Sequence, residues 1–272
     1  MSGRASPLAA HAAALLGAEL TQADPLAGGD LSEISHIVLA DGREAIVKGG
    51  PAPRTEAAML QAIAKAGAPA PRVLAVDDGC LVIEQLSTGG SLGGAWGDLG
   101  TVLARLHATC GERYGWTEDY AFGPVAIENG FSDDWPAFWG ERRLLVNGPH
   151  VSGALARRLE KLAADLPNRL PKTPRASLLH GDLWSGNVLA DHGRVSGLID
   201  PACYFGHAEV DLAMLCLFGR PSASFYQAYT PLAPGHAERL PIYSLWPALV
   251  HLRLFGAGYR GMVEGFLQQA GV

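Results

Sequence analysis

The stretch Leu178-Leu179-His180-Gly181-Asp182-Leu183-Trp184-Ser185-Gly186-Asn187-Val188-Leu189, with Leu198-Ile199-Asp200-Pro201 after it, decides how this chain is read. An Asp is followed five positions later by an Asn, two glycines sit in the loop, and an apolar strand stands behind it. A second Asp then closes the next strand. Phosphoryl transfer calls for such a set. It needs a carboxylate near the acceptor hydroxyl, oxygen ligands that hold Mg²⁺ against nucleotide phosphates, and a cation on those phosphates. Asp182 suits the first task. Asn187 and Asp200 suit the second, because Mg²⁺ prefers hard oxygen donors and accepts few protein ligands.

The cation is found by working outward. Ile34–Leu39 and Glu44–Lys48 read as short strands, and Asp41-Gly42 between them predicts a type I′ hairpin. Lys48 therefore ends a strand. Pro51 and Pro53 introduce a helix over Thr55–Ala66 that Gly67 closes. Leu60 and Ile63 mark its apolar face, and Glu56, four residues before Leu60, points to the same side, where it can orient Lys48. Strands over Arg72–Val76 and Cys80–Leu86 follow. Ser87–Gly94, rich in Gly and Ser, is the expected boundary, dividing the chain into 1–86 and 87–272. Beyond it the pattern is mainly helical. Leu99, Val102, Leu103 and Leu106 share one face; Trp135–Val146, Gly153–Leu166, Glu209–Phe218 and Leu245–Tyr259 are further helices. Val188–Ala190 and Val195–Ile199 flank His192-Gly193 as a hairpin. The expected architecture is α+β: a small β-rich N-lobe, a hinge and a larger helical C-lobe.

His180-Gly181-Asp182 with Asn187, followed by Ile199-Asp200, resembles the catalytic loop and metal-binding segment of the protein-kinase-like fold, in its small-molecule kinase branch. Ala45-Ile46-Val47-Lys48 resembles the strand that carries the phosphate-binding lysine there. The run Leu179–Asn187, the run Asp200–Met214, and Phe225–Tyr229 and Leu249–Leu252 resemble the fructosamine kinase (ketosamine 3-kinase) family more closely still. That resemblance implies transfer of the ATP γ-phosphate to the 3-hydroxyl of a sugar attached to an amine, of the fructosamine or ribulosamine type. The 3-phosphate then breaks down and frees the amine, which repairs a glycated metabolite or protein. It also implies roles for residues. Asp182 is the catalytic base, Asn187 and Asp200 are Mg²⁺ ligands, and Lys48 with Glu56 is the phosphate-orienting ion pair. Glu84, Gln85 and Leu86 form the adenine-contacting hinge, and Asp211 braces the catalytic loop from the next helix. Gly28 and Gly29 lie in a nucleotide loop that is short and lacks G-x-G-x-x-G. Asp200 is followed by Pro201-Ala202 rather than Phe-Gly, and no activation loop is visible, which argues against a protein substrate of the protein-kinase kind. His180 reads as a loop-bracing core residue, and His107 and His251 as satisfied core histidines. Trp184 reads equally as core or as a wall of the acceptor pocket. Two other readings stand beside this one. A kinase of aminoglycosides, choline or homoserine shares H-G-D-x-x-x-x-N but not the Gly206–Met214 run. A nucleotide-binding pseudokinase has no need of the base.

Composition excludes other classes. The 272 residues are 48% hydrophobic and 18% charged, with net charge −6 and 34 glycines, which rules out a disordered or collagen-like chain. No basic stripe suggests nucleic acid. No apolar run reaches the ~18 residues of a membrane span. Arg142-Arg143 and Arg157-Arg158 are expected on solvated helix faces. Cys80, Cys110, Cys203 and Cys216 are expected to be reduced and buried, as in a cytoplasmic protein. Ser6-Pro7 predicts an N-cap and first helical residue. The full expectation is a monomeric cytoplasmic enzyme using ATP and Mg²⁺ on a small-molecule or protein-bound ketosamine.

Overall fold

A computed structural model describes residues 6–26, 33–229 and 231–272. The chain forms two compact units, 1–95 with 188–201, and 96–187 with 202–272. In chain order the first unit takes α1 (Pro7–Leu15), β1 (Leu20–Pro25), β2 (Ile34–Leu39), β3 (Glu44–Lys48), α2 (Pro53–Lys65), β4 (Val73–Val76), β5 (Leu81–Ile83) and the first turn of α3 (Leu92–Ala108). The second takes the rest of α3, then β6 (Tyr120–Phe122), β7 (Val125–Ile127), α4 (Trp135–Trp139), α5 (Gly153–Arg169) and β8 (Ser177–Leu179). Strands β9 (Val188–Asp191) and β10 (Arg194–Leu198) belong to the first unit. Strand β11 (Tyr204–Gly206) and helices α6 (Glu209–Leu215), α7 (Ala223–Ala228), α8 (His236–Phe255) and α9 (Arg260–Gln269) complete the second.

The first unit is built on a five-stranded antiparallel sheet in the order β1-β2-β3-β5-β4. Period-two alternation along β3 sends Ala45 and Val47 to one face, where they meet Ala9, Ala12 and Ala13 of α1 together with Ile37 and Val82. It sends Ile46 and Lys48 to the other face, where Ala57 and Leu60 of α2 pack on Leu81 and Ile83. Ser6 caps α1 by accepting from the Leu8 amide at 3.2 Å. His11 of that helix lies 2.7 Å from Asp77, whose other oxygen accepts the Gly79 and Cys80 amides, so α1 is tied to the β4–β5 turn.

Two hairpins show how turn chemistry sets register. His192 and Gly193 both have positive φ, 45° and 76°, as the type I′ turn joining β9 to β10 requires. Between β2 and β3 only Gly42 does, at 82°, and the Leu39 amide bonds to the Arg43 carbonyl, so the expected I′ turn is replaced by a longer loop with one left-handed residue. The β9–β10 hairpin packs with 1–95 rather than with the helices around it in sequence. The Leu198 amide donates to the Pro69 carbonyl at 2.9 Å, the Gly90 amide to Ala190 at 3.0 Å, and Ser87 Oγ and Asp191 Oδ2 are 2.5 Å apart. The boundary expected at 86/87 therefore lies after Ala95, with 188–201 returned to the first unit.

The second unit packs helices around an aromatic core. Trp135, Phe138 and Trp139 of α4 meet Tyr204 and Tyr243, and Leu155, Leu159, Leu162 and Leu166 give α5 its buried stripe. Trp135 and Phe138 stack at 5.6 Å and 16°. The helix expected over Trp135–Val146 stays α-helical only to Trp139 and continues as a π-helical turn, Gly140–Leu144. Arg143 sits in that turn and, contrary to a solvated helix face, is fully buried. Its guanidinium lies 4.5 Å from the Tyr204 ring centroid and 4.9 Å from that of Phe138, and donates to the Glu128 carbonyl and Asn129 Oδ1, both at 2.7 Å. Burial holds its pKa below the ordinary arginine value. The four cysteines are free, but Cys110 is exposed and Cys216 half-buried rather than in the core. Among the described residues no helix is long and apolar enough to cross a membrane.

Candidate active site

Lys48 ends β3 on the face that α2 covers, and Glu56 lies in the first turn of α2. Lys48 is 7% exposed, and its ammonium bonds the carboxylates of both Glu56 and Asp200. Burial opposes its charge, but the charges of Glu56 and Asp200 outweigh that and hold its pKa above the ordinary lysine value. Asp200 follows β10 with φ of 53°, in the left-handed region that a non-glycine residue rarely adopts. Such a backbone is held only where the surroundings impose it, and it concentrates at functional positions. Glu84 and Leu86 are half-buried and Gln85 exposed, just past β5. The Glu84 carboxylate is taken by Arg72, at 3.1 Å from Nε and 3.2 Å from the amide, which lowers its pKa. Gly28 and Gly29 lie outside the described residues.

In the second unit β8 pairs with β11 and delivers the chain into His180-Gly181-Asp182. Asp211 of α6, fully buried, accepts the His180 amide at 2.7 Å on one oxygen and the Gly181 amide at 2.9 Å on the other. His107 Nε2 reaches the same carboxylate at 3.1 Å, and its Nδ1 lies 2.7 Å from the Tyr229 hydroxyl. Burial would raise the Asp211 carboxyl, but the His107 hydrogen bond and charge, the charge of His180 and the Gly181 amide hold it below the ordinary carboxylate range. Gly181 has φ of 84°, and a Cβ there would come 1.9 Å from the Ala202 carbonyl oxygen, so no other residue fits. His180 is fully buried, with its carbonyl accepting the Ala202 amide at 2.9 Å.

Asn187 closes the loop on Asp182. Its amide nitrogen donates to the Asp182 carbonyl at 2.8 Å and to the carboxylate Oδ2 at 3.0 Å. Both amide hydrogens are thereby used, and the carbonyl oxygen Oδ1 accepts nothing from the described residues, so it stands as a hard-oxygen donor of the kind Mg²⁺ takes. Trp184 is 39% exposed and so is not core. Its ring lies over Gly186, where a Cβ would come 2.2 Å from Cη2.

Sequence reasoning missed the support beneath these groups. It did not find the His107–Tyr229 link to Asp211, which joins residues 107, 211 and 229 through tertiary packing alone. Nor did it find the left-handed backbone at Asp200, since no glycine or asparagine signals it. Similarly, Glu209 beside Asp211 is a buried carboxylate held by Arg239 at 2.5 and 2.7 Å, and although burial would raise its pKa, the Arg239 hydrogen bonds and the nearby His236 and His207 rings bring it down to about 2.

Comparison with known proteins agrees with this arrangement. The family model described as fructosamine kinase matches residues 8–270. A relative from Lactiplantibacillus plantarum, named "Probable ketoamine kinase", is 38% identical over 73% of this chain and 75% of its own. A crystal structure from Thermobifida fusca assigned as a fructosamine-3-kinase superposes with a TM-score of 0.89 at 32% identity, covering 97% of this chain and 98% of that one. An aminoglycoside phosphotransferase solved with ADP and hygromycin B shares the fold alone, with a TM-score of 0.65 at 19% identity over 98% and 95% of the two chains. The two-unit α+β architecture is thus that of the protein-kinase-like phosphotransferases, and this chain belongs to the fructosamine kinase family.

Proposed function

We propose that the chain is an ATP-dependent ketosamine 3-kinase. The observation that carries this reading is the family match over 8–270 in a chain that keeps Lys48, Asp182, Asn187 and Asp200 together with their buried supports. In the reaction, the C3 hydroxyl oxygen of the sugar forms a bond to the γ-phosphorus, the bond to the β-phosphate oxygen breaks, and ADP leaves. Asp182 aligns the hydroxyl and accepts its proton late, since positioning supplies most of such catalysis. Lys48, oriented by Glu56, lies against phosphate oxygens and offsets their charge. Glu84, Gln85 and Leu86 contact the adenine. Asn187 Oδ1 and the Asp200 carboxylate are the groups that would supply oxygen ligands to Mg²⁺, which when bound would neutralise developing phosphate charge. Asp211 holds the loop backbone, and Trp184 borders the sugar. The free cysteines fit a reducing compartment, and we place the enzyme in the cytoplasm as a monomer.

An ADP-release assay with Mg²⁺ across ketosamines and aminoglycosides tests the reading. Turnover on ribulosamine or fructosamine adducts, with phosphorus NMR placing phosphate on C3, is expected. Turnover on aminoglycosides alone, or ATP binding without any product, overturns it.

A further inference from the structure

A band of aromatic rings runs from the catalytic loop across the second unit and is left uncovered. Trp184, Phe218 and Phe255 are 39%, 45% and 50% exposed. The Trp184 and Phe218 centroids lie 6.4 Å apart, edge to face, and Phe218 reaches the His251 ring at 4.9 Å. His251 in turn touches Phe255 at 5.4 Å and Tyr259 at 5.1 Å, and those two lie 5.9 Å apart. The band is continuous with the chemistry at one end, since the Trp184 amide donates to the Asp182 carbonyl at 3.2 Å. At the other end Gly256, with φ of 83°, stops α8 and turns the chain so that Tyr259 comes back onto His251.

The chemistry of the band is specific. No Asp, Glu, Lys or Arg is among the five residues. His251 Nδ1 lies 2.7 Å from the Pro247 carbonyl, which can only accept, so Nδ1 carries the proton and the neutral ring presents a lone pair at Nε2. Burial lowers the pKa of His251, which keeps the ring neutral. Exposed aromatic faces attract a cation and pack on alkyl or aryl groups, and leaving them to water is unfavourable. An acceptor that puts a sugar hydroxyl at Asp182 carries, beyond the sugar, a protonated secondary amine and whatever substituent that nitrogen bears. A cation with an apolar continuation is what this band complements.

Resting on the ketosamine reading above, we propose that Phe218, Phe255 and Tyr259 form the binding surface for the amine substituent. The enzyme therefore selects ketosamines by the group on nitrogen, favouring long alkyl or aromatic amines such as a lysine side chain over methylamine.

The test holds the sugar constant and varies the amine: ribulose adducts of methylamine, an Nα-blocked lysine and benzylamine. In the wild type, kcat/KM is expected to rise at least about 10-fold from the methylamine to the benzylamine adduct. Phe218→Ala and Phe255→Ala, both at exposed positions, should collapse that preference by about 5- to 20-fold, with the loss in KM for the larger adducts rather than in kcat. Phe255→Tyr should restore it. Phe131→Ala, at an exposed ring outside the band, should keep the wild-type preference. Equal activity of the wild type on all three adducts, or an undiminished preference in both alanine variants, overturns the inference and leaves the kinase reading intact. A wild type that phosphorylates no ketosamine removes the kinase reading, and this inference with it.

Discussion

Lys48 and Asp182 are both fixed by buried carboxylates, but in different ways. In the first unit the fixing is charge against charge. One ammonium faces the carboxylates of both Glu56 and Asp200. In the second unit the fixing is carboxylate against backbone. Asp211 grips the amides of His180 and Gly181, and the loop geometry follows. An ion cluster can be rearranged by an incoming phosphate or cation, which competes for the same charges. A backbone clamp in a dry core cannot, so it suits a group that must stay aimed. The first unit thus holds its lysine by charges that a bound anion can compete for, and the second holds its loop by backbone bonds.

The largest test of this contrast is Asp182→Asn. With Asn187 and Asp211 untouched, the loop should keep its shape while kcat falls about 10³-fold or more. Thermal unfolding within a few degrees of wild type, beside the lost ADP release, is the expected pair of readings. Near-normal turnover would remove Asp182 as the base. Next, Lys48→Met leaves Glu56 and Asp200 facing each other without their cation. Breaking such a buried ion pair costs about 3 kcal/mol, and the KM for ATP should rise, so denaturant melts and ATP titrations should both move. If only stability moved, the lysine would be a structural residue alone.

The acid side of the stability curve gives a third, smaller effect. The Glu209 carboxyl is held at about 2 against an ordinary 4.5, and the Arg239 side chain on it is largely buried. Its folded pKa is depressed, so its contribution is complete above about pH 4.5 and is lost as pH falls towards 2. The shift corresponds to about 3 kcal/mol. Glu209→Gln should destabilise at pH 7 and should unfold more nearly like the wild type as pH approaches 3. A constant gap between the two across that range would show that folding does not depress the Glu209 carboxyl. The smallest effect is expected at Glu84→Ala. Its partner Arg72 is 75% exposed, and an exposed pair is worth at most about 0.5–1 kcal/mol. ATP affinity should hardly change if the adenine is met by backbone at that position, and a large loss would assign the contact to the carboxylate itself.

Much of this was legible from residues alone, and the reasons can be named. Strands β2 and β3 fall at the expected bounds because alternation and Asp41-Gly42 mark them locally. The Lys48–Glu56 pairing was legible because strand period and helix period each assign one face. Three kinds of feature were not. Strand β1 (Leu-Thr-Gln-Ala-Asp-Pro) is mostly polar and exposed, so it carries no hydrophobic pattern and exists by pairing with β2. The three-residue strands β8 and β11 are too short to show a period. Helix α8 runs through Pro241 and Pro247, which ordinarily break helices at a cost near 3 kcal/mol each. Ten consecutive buried residues, Pro241–Val250, supply the packing that overrides it.

The sequence by itself determined which groups are proposed for the chemistry, because that information lies in residue type and spacing: a carboxylate at 182, an amide at 187, a carboxylate at 200 and a lysine ending a strand. Only the tertiary structure decided what holds them. Asp211 finds His107, which is tied to Tyr229, Asp200 takes a left-handed backbone beside Lys48, Arg143 is buried among rings, and Phe218 stands exposed beside Trp184. Each of these depends on contacts between residues tens of positions apart or more. Whether a side chain is buried, paired or exposed is a property of its neighbours in space, and local sequence does not encode them.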